Sequence, residues 1–228
     1  MMMNASDPCF VEWEEHGTGG YAQGGAPQAV AIRTSESTTG EVDIVAVGAT
    51  GGIARGFYPG YSHRAPAPNT WSWVMVKVRP PGDAWSTGNV TLRSADPRQV
   101  PFIAFDWLQG EAGDRDIRAL TEAQGLLARG FEGAPEEYHP MVRHQPAEGL
   151  DIGQSHRDEA FGHHASSTCR MGPDGDDMAC VDSQLRVTGV RNLRVADASV
   201  FPYTPGSFPA LSVHLIGLKA ADLVSKRP

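Results

Sequence analysis

The chain has 228 residues, a formal net charge of −8, 40% hydrophobic residues and 20% charged ones. That length suits one large domain or two small ones, and the composition is that of a globular protein. The acidic balance argues against a nucleic-acid partner and against an anionic membrane surface. No apolar run reaches the roughly 18 residues that a membrane helix needs, and "MMMNASDPCF" has no basic region followed by an apolar core, so neither a membrane span nor a secretory leader is expected. Cys9, Cys169 and Cys180 form an odd set without metal-type spacing, which reads as free thiols in a reducing cytoplasm.

The first forty residues are rich in Gly, Ser and Thr. After an acidic, helical "VEWEEH" comes "HGTGGYAQGG", with Gly17, Gly19 and Gly20. A dinucleotide loop needs a strand before it and a helix opening at its end, so this stretch reads as a loop rather than a phosphate cradle. Strand signals follow in series: "EVDIVAVGA" (41–49), "TWSWVMVKVRP" (70–80), "GNVTLRSAD" (88–96) and "PFIAFDW" (101–107). In the second of these, Trp71, Trp73, Met75, Lys77 and Arg79 alternate with Ser72, Val74, Val76 and Val78. Short connections between successive strands predict an antiparallel sheet. "GDRDIRALTEAQGLLARG" (113–130) has helical spacing, with Asp114 and Asp116 in its first turn and Gly130 as its end. Residues 135–159 read as a proline-punctuated loop with short helical pieces. "LRVADAS" (193–199) reads as a strand ending in a turn, and a helix is expected from Pro209, with Val213, Ile216, Ala220 and Leu223 on one face. His214 within it reads as packed or exposed rather than catalytic.

The stretch that carries chemistry is "GHHASSTCRMG" (162–172). Metal binding is disfavoured, because adjacent side chains of an extended segment point to opposite faces, so His163 and His164 do not readily share one ion. A structural role and general-base work both remain open, a neutral imidazole being suited to take a hydroxyl proton near neutral pH. Ser166 and Ser167 lie close by, but without a Gly-x-Ser-x-Gly elbow a hydrolase reading is weak.

These residues resemble the C-terminal, substrate-binding part of the glucose-methanol-choline (GMC) family of flavin-dependent oxidoreductases. "GHHASSTCRMG" is similar to the family's catalytic-histidine segment, His-Pro-x-Gly-Thr-x-x-Met-Gly. "VDSQLRVTGVRNLRVADASVFP" (181–202) resembles the signature that returns the chain to the flavin domain, and "IGLKAADLV" its closing helix. "FYPGYS" and "GNVTLRSADPRQVPFIAFDW" resemble its substrate-domain sheet.

The resemblance implies an α+β fold: an antiparallel sheet of about five to six strands with helices on one face, plus a C-terminal strand and helix of an incomplete FAD domain. It implies a substrate-binding domain over 1–180 and a returning segment over 181–228. The cofactor would be FAD and the substrate a small-molecule alcohol. Alignment on Thr168 and Met171 puts the catalytic histidine on His164. His163, Asp197, Ala198, Ser207, Phe208 and Pro209 would lie toward the flavin.

There are departures. Ala165 stands for the usual proline and Ser167 for the usual glycine, while Pro209 falls where the family has a second His or Asn, suggesting a less polar pocket. A nucleotide-binding strand and glycine loop are not read in this sequence. The expectation is therefore a truncated product or one half of a split enzyme, completed by a separate FAD-binding domain and binding FAD weakly alone. It also follows that Leu215, Leu218 and Val224 on the last helix should be exposed. The competing class is a non-catalytic remnant or small-molecule binding module.

Overall fold

The structure, a computed structural model, describes residues 6–19, 21–22, 28–50, 70–78, 88–146, 149–206 and 208–226. Helix α1 (Pro8–His16) begins at Asp7, whose carboxylate accepts the Cys9 N–H at 3.0 Å, and has a proline in its first turn. It ends at Gly17, which takes a left-handed φ of 65° and donates its N–H to the Trp13 carbonyl. The glycine-rich stretch thus begins as a helix cap.

Strands β1 (Gln28–Ile32), β2 (Ile44–Thr50) and β3 (Trp71–Lys77) form a three-stranded antiparallel sheet in that order. β1 follows the glycine-rich stretch and was not among the strands expected from sequence; "QAVAI" is short and its small side chains give little alternation. Ile32 pairs with Ile44, and Ala46 with Met75. The alternation expected along β3 therefore puts Trp73 and Met75 on the same face as Ile32, Ile44 and Ala46. That face is covered by α2 (Gly110–Glu132), which contributes buried Ala119 and Ala123 and half-buried Leu120 and Leu127. Alanines at the contact let the helix approach the sheet closely. The opposite face carries Val45, Val47, Val74 and Val76, all half-buried.

Polar contacts fix α2 on the sheet. Arg118 forks onto both carboxylate oxygens of Glu36 at 2.9 and 2.8 Å, and Glu122 accepts the Ser35 N–H and hydroxyl. The helix starts at Gly110, earlier than its periodicity implied, so Glu111 rather than Asp114 or Asp116 occupies the first turn. Asp116 is buried, Asp114 pairs with Arg157, and Gly133 rather than Gly130 closes the helix.

β4 (Asn89–Thr91) and β5 (Phe102–Ala104) pair with each other as a separate antiparallel ribbon. Among the described residues, the single sheet expected from sequence is thus a sheet of three strands and a ribbon of two. "FYPGYS" and most of "PPGDAWSTGN" lie outside the described residues. A short helix, α3 (Ile152–Asp158), is capped by Asp151 and packs on α2.

A second cluster gathers Val181, Leu185 and Val200, all fully buried, with Cys169, Met171, Cys180, Val187 and Val195 around them. Helix α4 (Ala210–Ser225) closes it with Ile216, Ala220 and Leu223, the face expected from sequence. The other side of α4 exposes Leu211, Leu215, Leu218 and Val224, Leu218 by 68%. The strand expected over 193–199 is not a regular strand: Arg194 makes one isolated bridge, to Arg186. Left-handed turns at Leu185, Gly189 and Asn192 reverse the chain too often for a ladder to extend.

The cysteine expectation is corrected here. Cys169 and Cys180 form a disulfide, with Cα atoms 4.9 Å apart, and Cys9 is free and exposed. Residues 173–179 turn back, with Ala179 N–H on the Asp176 carbonyl and Arg170 on the Asp176 carboxylate, and this brings the two together. A cysteine count carries no such information, and the step from free thiols to a reducing cytoplasm loses its footing. No described helix is long and apolar enough to cross a membrane.

Candidate active site

The histidine segment has no regular secondary structure of its own. It is held as an extra chain beside residues 198–200. Ser167 N–H donates to the Ala198 carbonyl at 3.2 Å, Cys169 N–H to Ser199 at 3.0 Å and Met171 N–H to Val200 at 2.9 Å. Asp197 sets up that acceptor row: its carboxylate accepts the Ser199 N–H at 2.8 Å and starts a 3-10 turn over Ala198–Val200. The two stretches singled out from sequence, 162–172 and 197–200, are therefore one unit.

Both imidazoles are exposed, and each meets a different aromatic ring. His164 stands edge-on to Phe208, centroids 5.4 Å apart at 85°, and His163 edge-on to Phe161 at 5.4 Å and 74°. Gly162 lies against the Trp107 indole, where a Cβ would come within 3.4 Å of the ring. Ser166 shares a 3.0 Å hydrogen bond with Thr204. Ser167 adopts a left-handed φ of 67°, which explains why a glycine suits this position, and its buried hydroxyl oxygen has no partner among the described residues.

Phe208 is exposed and Pro209 buried. Pro209 is the N-cap of α4 rather than its first helical residue, and its carbonyl accepts the Val213 N–H at 2.8 Å. Pro209 offers no side-chain cap of its own to the N–H groups at this positive helix end. Gly206 packs toward the end of β3, where a Cβ would meet Val78 Cγ1 at 3.2 Å. Ser207 lies outside the described residues. His214 shares a hydrogen bond with the Ala210 carbonyl in its own helix, in keeping with a packed or exposed residue.

Sequence reasoning missed Trp107, Thr204 and Val78, which no local pattern links to the histidines. A cleft of about 470 Å³ opens at the C-terminal end of the motif, lined by Arg170, Met171, Asp176 and Tyr203 among others, and neither histidine lines it. Among the described residues no three His, Cys, Asp or Glu side chains converge.

This arrangement has counterparts. The family model described as GMC oxidoreductase matches residues 84–217. The chain belongs to the GMC oxidoreductase family. The oxygen-dependent choline dehydrogenase of Brucella anthropi is 39% identical over 149 residues, 62% of this chain and 26% of that protein. The Sinorhizobium fredii enzyme of the same name is 39% identical over 150 residues, 63% of this chain and 27% of its own. The chain thus spans about a quarter of the length of these curated relatives. Among solved structures, a formate oxidase of Aspergillus oryzae, an FAD protein, superposes with a TM-score of 0.68 at 23% identity, over 99% of this chain and 42% of its own. That likeness shows the fold: mixed α and β, with antiparallel sheets.

The GMC neighbours are FAD proteins, so the residues here can be asked whether they fit such a group. The Phe208 ring at the start of α4 and the exposed His164 imidazole beside it fit one edge of a flat ring with polar edges. Asp197 is already engaged in capping Ser199 and is left holding the turn. Among the described residues no glycine loop joins a strand to a helix as a phosphate cradle would.

Proposed function

We propose that this chain forms the substrate side of a GMC oxidoreductase that oxidises an alcohol, with His164 as the base. In this reading residues 1–180 are the substrate-binding part and 181–228 the segment that returns to the flavin side, completed by a separate FAD-binding domain. The observation that supports it best is the ladder from Ser167, Cys169 and Met171 to Ala198–Val200, which holds the His164 ring beside Phe208 at the start of α4.

FAD, when bound, supplies the hydride acceptor. The first turn of α4, with Phe208 and Pro209, would hold its ring edge, and His163 would lie beside it. Ala198 contributes through its carbonyl, which fixes Ser167, and Asp197 through the turn that it caps. His164 takes the hydroxyl proton as the carbinol C–H bond gives up its hydride, leaving a carbonyl product. Phe208 restricts the imidazole's rotation and keeps water from one side of it. The Phe208–Pro209 pair supplies no side-chain hydrogen bond to an alkoxide, which favours an apolar alcohol.

A titration of the purified chain with FAD, followed by absorbance and fluorescence, tests this reading, first alone and then with the flavin-binding half of a family member. Binding is expected only with the added half. His164→Ala is then expected to keep that binding and to lose about 10²–10⁴ in turnover of an alcohol. Full turnover by the variant would remove His164 from the chemistry. Absence of FAD binding in both arms would leave a non-catalytic binding module as the better account.

A further inference from the structure

We infer that the Cys169–Cys180 disulfide is a redox-sensitive clasp on the histidine segment. The cysteines lie at the junction between residues 163–172, which have no regular structure, and the cluster of Val181, Leu185 and Val200. On one side of the clasp stands the ladder to residues 198–200. On the other, Cys180 N–H donates to the Arg170 carbonyl at 2.8 Å and Gly172 N–H to Val181 at 3.2 Å. The covalent bond closes the loop between these two attachments, so it limits how far the segment can peel from the cluster.

The loop that the clasp closes lies at the surface. Both cysteines are half-buried, and Pro173, Asp174, Gly175, Asp177 and Met178 in the intervening loop are exposed. A dithiol reductant attacks one sulfur through its thiolate; the Cys169–Cys180 bond breaks, two S–H bonds form, and the dithiol closes to its own disulfide. Two electrons and two protons pass to the protein, and nothing else is consumed.

After reduction the Arg170–Asp176 ion pair, at 2.8 Å, still spans the loop. The thiols therefore stay close enough to re-form the bond, and the change is reversible. What is lost is the tether on the segment that carries His163 and His164. The sheet and α2 belong to a different cluster and contain neither cysteine. This inference does not depend on the flavin reading, because its readouts need no cofactor.

The test uses the full chain. Alkylation of the air-oxidised protein followed by peptide mass mapping is expected to label Cys9 and to recover Cys169 and Cys180 as a linked pair. Treatment with dithiothreitol is then expected to raise amide exchange over 163–172 about tenfold while leaving α2 unchanged, with reoxidation restoring the original rates. The melting temperature is expected to fall by about 5–10 °C on reduction. Cys180→Ser should show the fast exchange without reductant; should that variant fail to fold, the reduced wild-type chain answers the same question. Labelling of Cys169 and Cys180 in the unreduced protein would overturn the inference. So would unchanged exchange over 163–172 after reduction.

Discussion

Around Ile44, burial follows from periodicity: strands alternate, a helix lays alanines on one face, and backbone groups are satisfied by the sheet ladder. Around Val181, burial is achieved without a regular strand, through isolated bridges, left-handed turns, a disulfide and one face of α4. The first cluster positions a scaffold and the second positions the histidines. The difference shows where the chain tolerates change: regular elements share a loss among many contacts, whereas the irregular unit depends on particular ones.

The largest expected effect breaks the scaffold at a buried ion pair. Asp43 is 1% exposed and accepts from Thr34 N–H at 2.7 Å, Thr34 hydroxyl at 2.6 Å and Lys77 Nζ at 3.0 Å. Asp43→Asn leaves the Lys77 ammonium, on a side chain only 12% exposed, without its counter-charge. The expected cost is about 3–5 kcal/mol, a fall in melting temperature on the order of 10 °C.

Acid should act through the same carboxylate. Burial pushes its pKa up, but the Thr34 hydroxyl and N–H and the Lys77 ammonium outweigh burial and hold it below the ordinary value. A depressed folded pKa means that the stabilisation is complete above the unfolded carboxyl range, about pH 4, and is lost as pH falls through the folded value. Denaturation of wild type between pH 6 and pH 2 (roughly, spanning that range) should steepen at the acid end, and Asp43→Asn should flatten that limb. An unchanged limb would mean that other carboxylates dominate.

A matched pair of truncations sharpens the comparison. Ile44→Ala and Leu185→Ala each remove a fully buried side chain, and each should cost about 2–5 kcal/mol. Their local consequences should differ. Leu185 packs in the cluster that carries Cys169 and Met171, so its truncation should speed amide exchange across 163–172. Ile44→Ala should leave those amides protected relative to global unfolding. Equal responses would mean that the two clusters behave as one cooperative body.

The same contrast explains what was legible. The spacing along 70–80 and 113–130 located β3 and α2, and the apolar face of α4 was readable from Val213, Ile216, Ala220 and Leu223, because periodicity encodes burial in regular elements. β1 was missed because Ala and Val in "QAVAI" carry no contrast, and 193–199 was misread because the alternation of Leu193 and Val195 with Arg194 says nothing of the turns that stop its pairing. The family itself was legible from long ordered motifs, which the match over 84–217 supports. The disulfide was hidden, since it depends on the fold of 173–179 rather than on spacing. The unity of 162–172 with 197–200 came from three backbone hydrogen bonds that carry no side-chain signature.

The smallest expected effect is a gain, and it falls within the irregular unit. Ser167 holds a φ of 67° and buries a hydroxyl that has no partner among the described residues. The left-handed conformation costs an L-residue about 1–2 kcal/mol, and the extra chain entropy that glycine loses on folding offsets about 0.5–1 kcal/mol of the relief. Ser167→Gly should therefore stabilise by about 1 kcal/mol, raising the melting temperature by about 2–4 °C, while the Ser167 N–H bond to Ala198 is kept by the backbone. Ser167→Ala separates the two causes, since it removes the hydroxyl and keeps the backbone cost. A gain with Gly but not with Ala assigns the penalty to φ. Equal gains assign it to the buried oxygen, and a loss with both would show that the hydroxyl has a partner in the folded protein and that this part of the irregular unit is already at its optimum.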